Sequence, residues 1–369
     1  MKVALVCDWY HPRVGGIELH LQNLAAQLVA AGHEVVVITP TPGPDLVDGI
    51  RVRRIHAPLA PVFGFLTTPG GVRAIGTVLA EERVDVAHCH VSIVSPAALG
   101  GAHQAQLRKI PTALTFHSVV PQTPLFARAA DLAFGTSRWR ARFSAVSERV
   151  ARDVRPIAGG REMTVIPNGI DVEFWRVPPV RHGGDVRLIS VMRLNPKKRP
   201  LALVDMMRRL ASEFEHAPPA SLRIVGDGPQ RPALAAAIAR AGLGDRIELL
   251  GHCTREEIRT MLAESDVFVL PTVRESFGLA ALEARCVGLP VVAMAASGIA
   301  EWIGHRREGM LARSDAELAE QVATLVRDAD LRRSIARNNR ESTPPFDWPH
   351  VIERHLTLYR EAIALRSSV

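Results

Sequence analysis

Apolar positions along the chain alternate between two periods, so that short buried runs are followed by stretches with helical spacing. The opening "MKVALVCDWY" carries an apolar run from Val3 to Cys7 that reads as a buried strand. A loop then ends in Gly15-Gly16. Ile17, Leu21, Leu24 and Leu28 recur at helical spacing, Gly32 stops the helix, and Val35 to Ile38 make a second strand. This is a βαβ unit. "RVDVAHCHV", "IPTALTFHS" and the helix-like "ERVARDV" extend the alternation, which predicts a parallel sheet covered on both faces.

"VIPNGIDVEFWRVPPVRHGGD" breaks the pattern with prolines, Asn-Gly and a glycine pair, the punctuation of a linker. A second series follows: strand Arg187 to Val191, helix Leu201 to Phe214, strand "LRIVGDG", helix Arg231 to Ala241, strand "IELLG", helix Glu256 to Ala263, strand Val267 to Leu270 and strand "PVVAM". After two prolines "PPFDWPHVIERHLTLYREAI" restarts a helix, long enough to leave the second domain and pack elsewhere. The expected fold class is α/β, with two Rossmann-like domains. The first spans residues 1–175, completed by a closing helix over 346–369, and the second spans 176–345. Facing sheets would put the carboxyl ends of their strands on one cleft, where open α/β sheets bind ligands.

Length supports two domains, because single cores stop growing at roughly 250 to 300 residues and this chain has 369. Hydrophobic content of 47% with 22% charged residues is that of a soluble globular protein, and no apolar run approaches the ~20 residues of a membrane span. The start is interrupted by Asp8 too soon for a signal peptide, so a cytoplasmic protein is expected. Cys7, Cys89, Cys253 and Cys286 stand far apart, which suits reduced core residues and gives no zinc spacing. Net charge is +7, and between Arg128 and Arg155 seven arginines face Asp131, Glu148 and Asp153. That cluster is either a solvated helix face or a surface for an anionic membrane or acceptor phosphate. Aromatic content of 5% and the lack of a recognition motif argue against nucleic acid as a partner.

The loops point to phosphate. No G-x-G-x-x-G follows a strand and no G-x-x-x-x-G-K-[ST] is present, which argues against a dehydrogenase and a P-loop NTPase. Gly15-Gly16 precedes a helix whose free N–H groups favour an anion, although a plain helix cap explains it equally. "SVMRLNPKKRP" leaves a strand with Arg193, Lys197, Lys198 and Arg199, a positive group suited to a diphosphate. "RESFGLAALEA" opens another helix, with the N–H groups of Ser276, Phe277, Gly278 and Leu279 facing the same phosphates.

"GGIELHLQNLAAQL", "TFHS", "SAVSERVARD", "VIPNGID", "RLNPKK", "GDGP" and "ESFGLAALE" stand in the order seen in retaining nucleotide-sugar glycosyltransferases of family 4, and the chain resembles that family over nearly its whole length. "FDWPHVIERHLTLY" is similar to the family's closing helix, and "TFHS" with the basic first domain is similar to phosphatidylinositol mannosyltransferases. The resemblance implies a GT-B fold and a metal-independent hexosyltransferase that needs no cofactor. Its donor would be a UDP- or GDP-linked sugar and its acceptor a hydroxyl of a glycan, glycolipid or small molecule. It implies catalytic positions at His117, Arg193, Lys198 and Glu275. Donor contacts would come from Gly15, Gly16, Arg193, Lys198, Gly226, Gly251, Glu275, Ser276, Phe277, Gly278, Leu279 and Glu283. Within this set Glu283 takes the ribose, Glu275 the sugar hydroxyls, Arg193 and Lys198 the diphosphate, and Gly16 the distal phosphate.

Two positions depart from the family: Arg199 replaces a common glycine, implying a looser loop or an extra phosphate contact, and Ser297 precedes Gly298, a loop contact near the sugar. Tyr10, His11 and Arg13, with Trp9 and "PVFGFL", are candidates for the acceptor pocket. His88 and His90 in "HCH" share one strand face and could ligate a metal, face the cleft or be buried, but no third ligand is evident. Asn168-Gly169 reads as a hinge turn. A non-hydrolysing sugar-nucleotide epimerase or a non-catalytic nucleotide-sugar binder of the same fold is the alternative, against which the paired glutamates with Arg193 and Lys198 speak.

Overall fold

A computed structural model of the chain describes all residues except 14, 57–67, 93–94, 120–130, 133, 181–182, 214–218 and 368–369. The "PVFGFL" candidate, Arg128 and Phe214 lie outside the described residues. Two compact units emerge, Met1–Gly169 with Phe346–Val369, and Ile170–Pro345. The break precedes Ile170 rather than following Trp175, because Asp171 caps a short helix, Val172–Trp175, whose tryptophan is buried in the second unit against the helix Leu279–Val287.

The first unit is built on β1 (Lys2–Cys7), β2 (Glu34–Thr39), β3 (Leu46–Val47), β4 (Ile50–Arg54), β5 (Val86–Val91), β6 (Thr112–Phe116), β7 (Arg142–Ala145) and β8 (Thr164–Val165). Their order is β3-β4-β2-β1-β5-β6-β7-β8, parallel except for the β3–β4 hairpin at the edge. β1 and β5 are buried nearly end to end, as expected of parallel strands covered on both faces. The second unit has β9 (Val186–Val191), β10 (Ala220–Val225), β11 (Ile247–Gly251), β12 (Val267–Leu270), β13 (Val291–Met294) and β14 (Gly309–Ala312), all parallel in the order β11-β10-β9-β12-β13-β14. Among the described residues no helix is long and apolar enough to cross a membrane.

The helix Trp348–Ser367 belongs to the first unit. Trp348, Val351, Ile352, Leu358 and Tyr359 join Leu21, Leu24 and Leu28 of the helix Gly16–Ala30 in one apolar core. Arg142 pairs with Glu361 at 3.4 Å and Arg366 donates to the Gln106 carbonyl at 2.8 Å, fixing the helix along its length.

Five histidines are buried beside that core: His20, His88, His90, His117 and His355. Ring centroids lie 3.9 Å apart for His88 and His90, 5.2 Å for His90 and His117, and 5.3 Å for His88 and His355. Burial disfavours charging any of them. It pulls His20 down to about 4 and His355 to about 3, and holds His88, His90 and His117 well below the ordinary value, helped by mutual repulsion. The unfolded chain therefore binds more protons than the native one between about pH 4 and 6.5, so stability is complete above about 6.5 and falls as pH drops through that window. Buried Asp8, raised to about 6, acts in the opposite sense below 6, but one carboxyl is outweighed by five imidazoles. Thermal unfolding of the first unit should thus shift steeply downward below pH 6.5. His355→Leu should flatten that slope and stabilise the unit near neutrality by about 1 kcal/mol, since both ring nitrogens of His355 are buried without a partner among the described residues. An unchanged slope would place the acid sensitivity elsewhere.

Candidate functional site

β9 and β12 are neighbours, with Val267 opposite Leu188 and Phe268 opposite Ile189, so the loops that follow them leave the sheet side by side. The first carries exposed Arg193 and then Asn195, whose side chain accepts from the Lys198 N–H at 3.0 Å and closes a single 3-10 turn over Pro196–Lys198. The second carries Glu275. Lys198 Nζ meets Glu275 Oε2 at 2.5 Å, and the Thr272 hydroxyl donates to the Lys198 carbonyl at 3.3 Å. Both charged groups are mostly shielded, at 26% and 12% side-chain exposure, so the pair is fixed in place. Lys197 is half-buried, and burial lowers its amine despite the attraction of Glu275.

Glu275 also holds the turn that follows it. Its Oε1 accepts from the Ser276 N–H at 3.2 Å and its carbonyl accepts from the Gly298 N–H at 2.8 Å. Ser276 therefore does not offer a vacant N–H, contrary to the expectation from sequence. Gly298 secures the loop through its backbone. The Phe277 carbonyl accepts from Trp302 Nε1 at 3.0 Å. Gly278 caps the helix Leu279–Val287 at φ 84°, and a β-carbon there would lie 2.6 Å from Ile299. Only glycine fits. The N–H groups of Gly278 and Leu279 make no hydrogen bond among the described residues. Two turns along, Glu283 is partly buried with no hydrogen-bond partner among those residues, and burial pushes its carboxyl up to about 8 against the pull of Arg255. Arg255 itself stacks over Phe174 at 4.1 Å.

Gly226 and Gly251 answer to packing. Gly226 donates to the Gly251 carbonyl at 2.6 Å, and a β-carbon on it would stand 1.9 Å from the Met192 carbonyl oxygen, so the β9 and β10 loops touch backbone to backbone. Arg199 corrects another expectation. It occupies the left-handed region, at φ 57° and ψ 47°, so the loop turns as tightly as a glycine would turn it. Its guanidinium goes to the Pro271 carbonyl at 3.0 Å and the Asp315 carboxylate at 2.5 Å, engaging these protein groups rather than extending as a further phosphate ligand.

In the first unit Gly15 precedes the helix Gly16–Ala30 in an extended conformation and accepts from the Leu19 N–H at 3.0 Å. His117 follows β6, donates its backbone N–H to the Val91 carbonyl at 2.9 Å, and places Nε2 2.9 Å from His90 Nδ1. Tyr10 is a core residue, fully buried with its N–H on Thr41, so it cannot line an acceptor pocket as the sequence suggested. His11 is half-buried. Arg13 is half-buried, stacked over Trp9 at 4.0 Å and paired with Glu18 at 3.0 Å. Gly169 ends the first unit, and a β-carbon on it would lie 2.5 Å from the Trp348 ring. Asp8, outside the set of site residues expected from sequence, has a buried carboxylate that accepts from the Ala97 and Ala98 N–H groups at 2.9 and 3.1 Å at the start of the helix Pro96–Leu107. Its signal was an acid ending an apolar strand. Among the described residues no group of three or more His, Cys, Asp or Glu is arranged to hold a metal ion.

Residues 171–342 match glycosyl transferases group 1, and residues 14–174 match glycosyltransferase family 4. The chain is a glycosyltransferase of group 1 and family 4. It is 26% identical to the phosphatidylinositol N-acetylglucosaminyltransferase GPI3 subunit of Saccharomyces cerevisiae, over 97% of this chain and 82% of that protein. It is 28% identical to alpha-maltose-1-phosphate synthase of Mycolicibacterium smegmatis, over 99% of this chain and all of the relative. Its fold is the GT-B fold of sucrose-phosphate synthase from Thermosynechococcus elongatus (TM-score 0.79, 21% identity, 98% of this chain and 99% of that one). HepE from Anabaena in complex with UDP-glucose shares it too (TM-score 0.74, 24% identity, full coverage of both). The relatives named as transferases decide the enzyme class of the glycosyltransferase against the epimerase alternative.

Arg199 gives a direct test of the turn. Arg199→Ala loses the tether and keeps the left-handed strain, whereas Arg199→Gly loses the tether and relieves it, so the glycine variant should be the more stable of the two by about 1 kcal/mol in denaturant unfolding. Equal stabilities would mean the turn relaxes once the guanidinium is gone.

Proposed function

We propose that this glycosyltransferase moves a hexose from a nucleoside-diphosphate sugar to an acceptor hydroxyl with retention of configuration. One observation carries the reading: Lys198 and Glu275 are locked together at the mouth of the helix Leu279–Val287, with the partly buried Glu283 two turns further on. A cation beside a helix N-terminus stabilises the charge that grows on a departing diphosphate, and such preorganised groups are worth several kcal/mol in the transition state. Arg193 adds a second charge from the same loop. Glu275 addresses the sugar hydroxyls and Glu283 the ribose. From the first unit, the Gly16 N–H and His117 address the distal phosphate and the sugar. Neither glutamate acts as nucleophile in this reading, since Glu275 is engaged by Lys198 and by the Ser276 N–H, and Glu283 sits partly buried on the helix.

A UDP-linked donor is favoured by the fold neighbour HepE, whose structures carry UDP and glucose or UDP-glucose. A lipid-borne acceptor is favoured by the phosphatidylinositol N-acetylglucosaminyltransferase relatives, and the arginines between Arg138 and Arg155 would suit peripheral contact with an anionic membrane.

Lys198→Ala and Glu275→Ala should each lower nucleotide release from UDP-glucose by about 10²-fold or more, and release at the wild-type rate from both variants would end this assignment. Glu283 gives an independent signal. Ribose hydroxyls donate to an ionised carboxylate, so binding favours the charged form of a group that is mostly protonated at neutrality. UDP affinity should therefore rise from pH 6 toward about 8, with proton release visible by calorimetry in buffers of different ionisation enthalpy. Glu283→Gln should abolish the release.

A further inference from the structure

His88 stands in a chain of hydrogen bonds with one unambiguous end. The Ser144 hydroxyl donates to the Leu114 carbonyl at 3.1 Å, a group that can only accept. Ser144 Oγ then accepts from the Thr115 hydroxyl at 2.7 Å, Thr115 Oγ1 accepts from His88 Nε2–H at 2.6 Å, and His88 Nδ1 accepts from the Tyr359 hydroxyl at 2.8 Å. The reverse direction would strand the proton of the fully buried Tyr359 hydroxyl without an acceptor among the described residues. His88 is thus the neutral Nε2–H tautomer.

His90 has a preferred tautomer for the same reason. Its Nδ1 lies 2.9 Å from His117 Nε2, and its own Nε2 is buried with no partner among the described residues. Were His117 the donor, the neutral His90 ring would carry its proton on Nε2 and bury an orphaned N–H. With His90 as donor the orphan is only a lone pair, and buried donors are left unpaired more rarely than buried acceptors.

We propose that His90 is a positioning residue of the glycosyltransferase: it donates Nδ1–H to His117 Nε2 and holds His117 as the Nδ1–H tautomer. His117 then presents an N–H donor, on the nitrogen not facing His90, to a hydroxyl of the donor sugar. The use made of that donor rests on the placement of His117 at the sugar given above, whereas the tautomer does not. A free imidazole side chain prefers the Nε2–H form, so without His90 the ring would revert and offer an acceptor instead.

Long-range proton–nitrogen NMR of the full chain with 15N-histidine near neutral pH, with His117 assigned through His117→Gln, reads the tautomer directly. The expected spectrum has His117 Nδ1 protonated and Nε2 bare. His90→Leu should move His117 to the Nε2–H form and lower kcat/KM for UDP-glucose hydrolysis about tenfold. His90→Asn, which keeps an N–H near the position of Nδ1, should restore both. An Nε2–H ring at His117 in the wild type overturns the proposal even where no variant folds, and so does an unchanged His117 spectrum in His90→Leu. A moved tautomer with unchanged hydrolysis instead overturns the placement of His117 at the sugar and leaves the assignment of His90 standing.

Discussion

A parallel strand must leave its sheet at one edge and travel back across a face before the next strand can begin, so every loop that follows a strand emerges on the same edge. In the second unit this constraint brings Lys198 and Glu275 together although 77 residues separate them, because β9 and β12 are hydrogen-bonded neighbours at the middle of the sheet. β10 lies on the other side of β9, and its exit loop touches the β9 loop through Gly226. The meeting of Lys198 with Glu275 is thus a by-product of strand order. The residues that ensure it are those that let three exit loops approach: Gly226, Gly278, and the backbone bond from Gly298 to Glu275.

Periodicity made most of the architecture legible. Val3 to Cys7, Val35 to Ile38, Val267 to Leu270 and the closing helix stand where their apolar patterns put them, because burial on both sides of a parallel sheet demands unbroken apolar runs. The β3–β4 hairpin went unread even though Asp48-Gly49, both at positive φ, is the usual two-residue hairpin turn. The amphipathic helices Pro69–Glu81 and Asp315–Arg327 were also passed over. Site residues were legible in kind and less so in environment. The spacing of Glu275 and Glu283 showed that one segment could reach two places. It could not show that the first would be tied to a lysine and the second left half-buried and unpaired, since both depend on which strand lies next door. Tyr10 failed for the same reason, being adjacent in sequence to the glycine loop but turned into the core.

The first unit solves a different problem. Five imidazoles in one buried region would be untenable if charged, so the fold keeps them neutral. Ser144, Thr115 and Tyr359 give His88 a fixed polarity and fasten the closing helix to β5 through the Tyr359 hydroxyl. A closing segment held only by apolar contacts could slide along the core. A phenol that must reach one ring nitrogen fixes its register.

Arg199 shows how the two kinds of constraint combine. A glycine would reach φ 57° without strain but would add nothing once there, whereas arginine accepts the strained backbone and spends its side chain on Pro271 and Asp315. Pro271 begins the loop that ends in Glu275, and Asp315 opens the helix Asp315–Arg327, which packs on the helix following Arg199. The lysine turn is therefore braced from both sides by a residue whose own charge is neutralised locally. In a loop that already carries Lys197 and Lys198, a further cation without a counter-charge would raise the local repulsion, and pairing Arg199 with Asp315 removes that cost while keeping the turn tight.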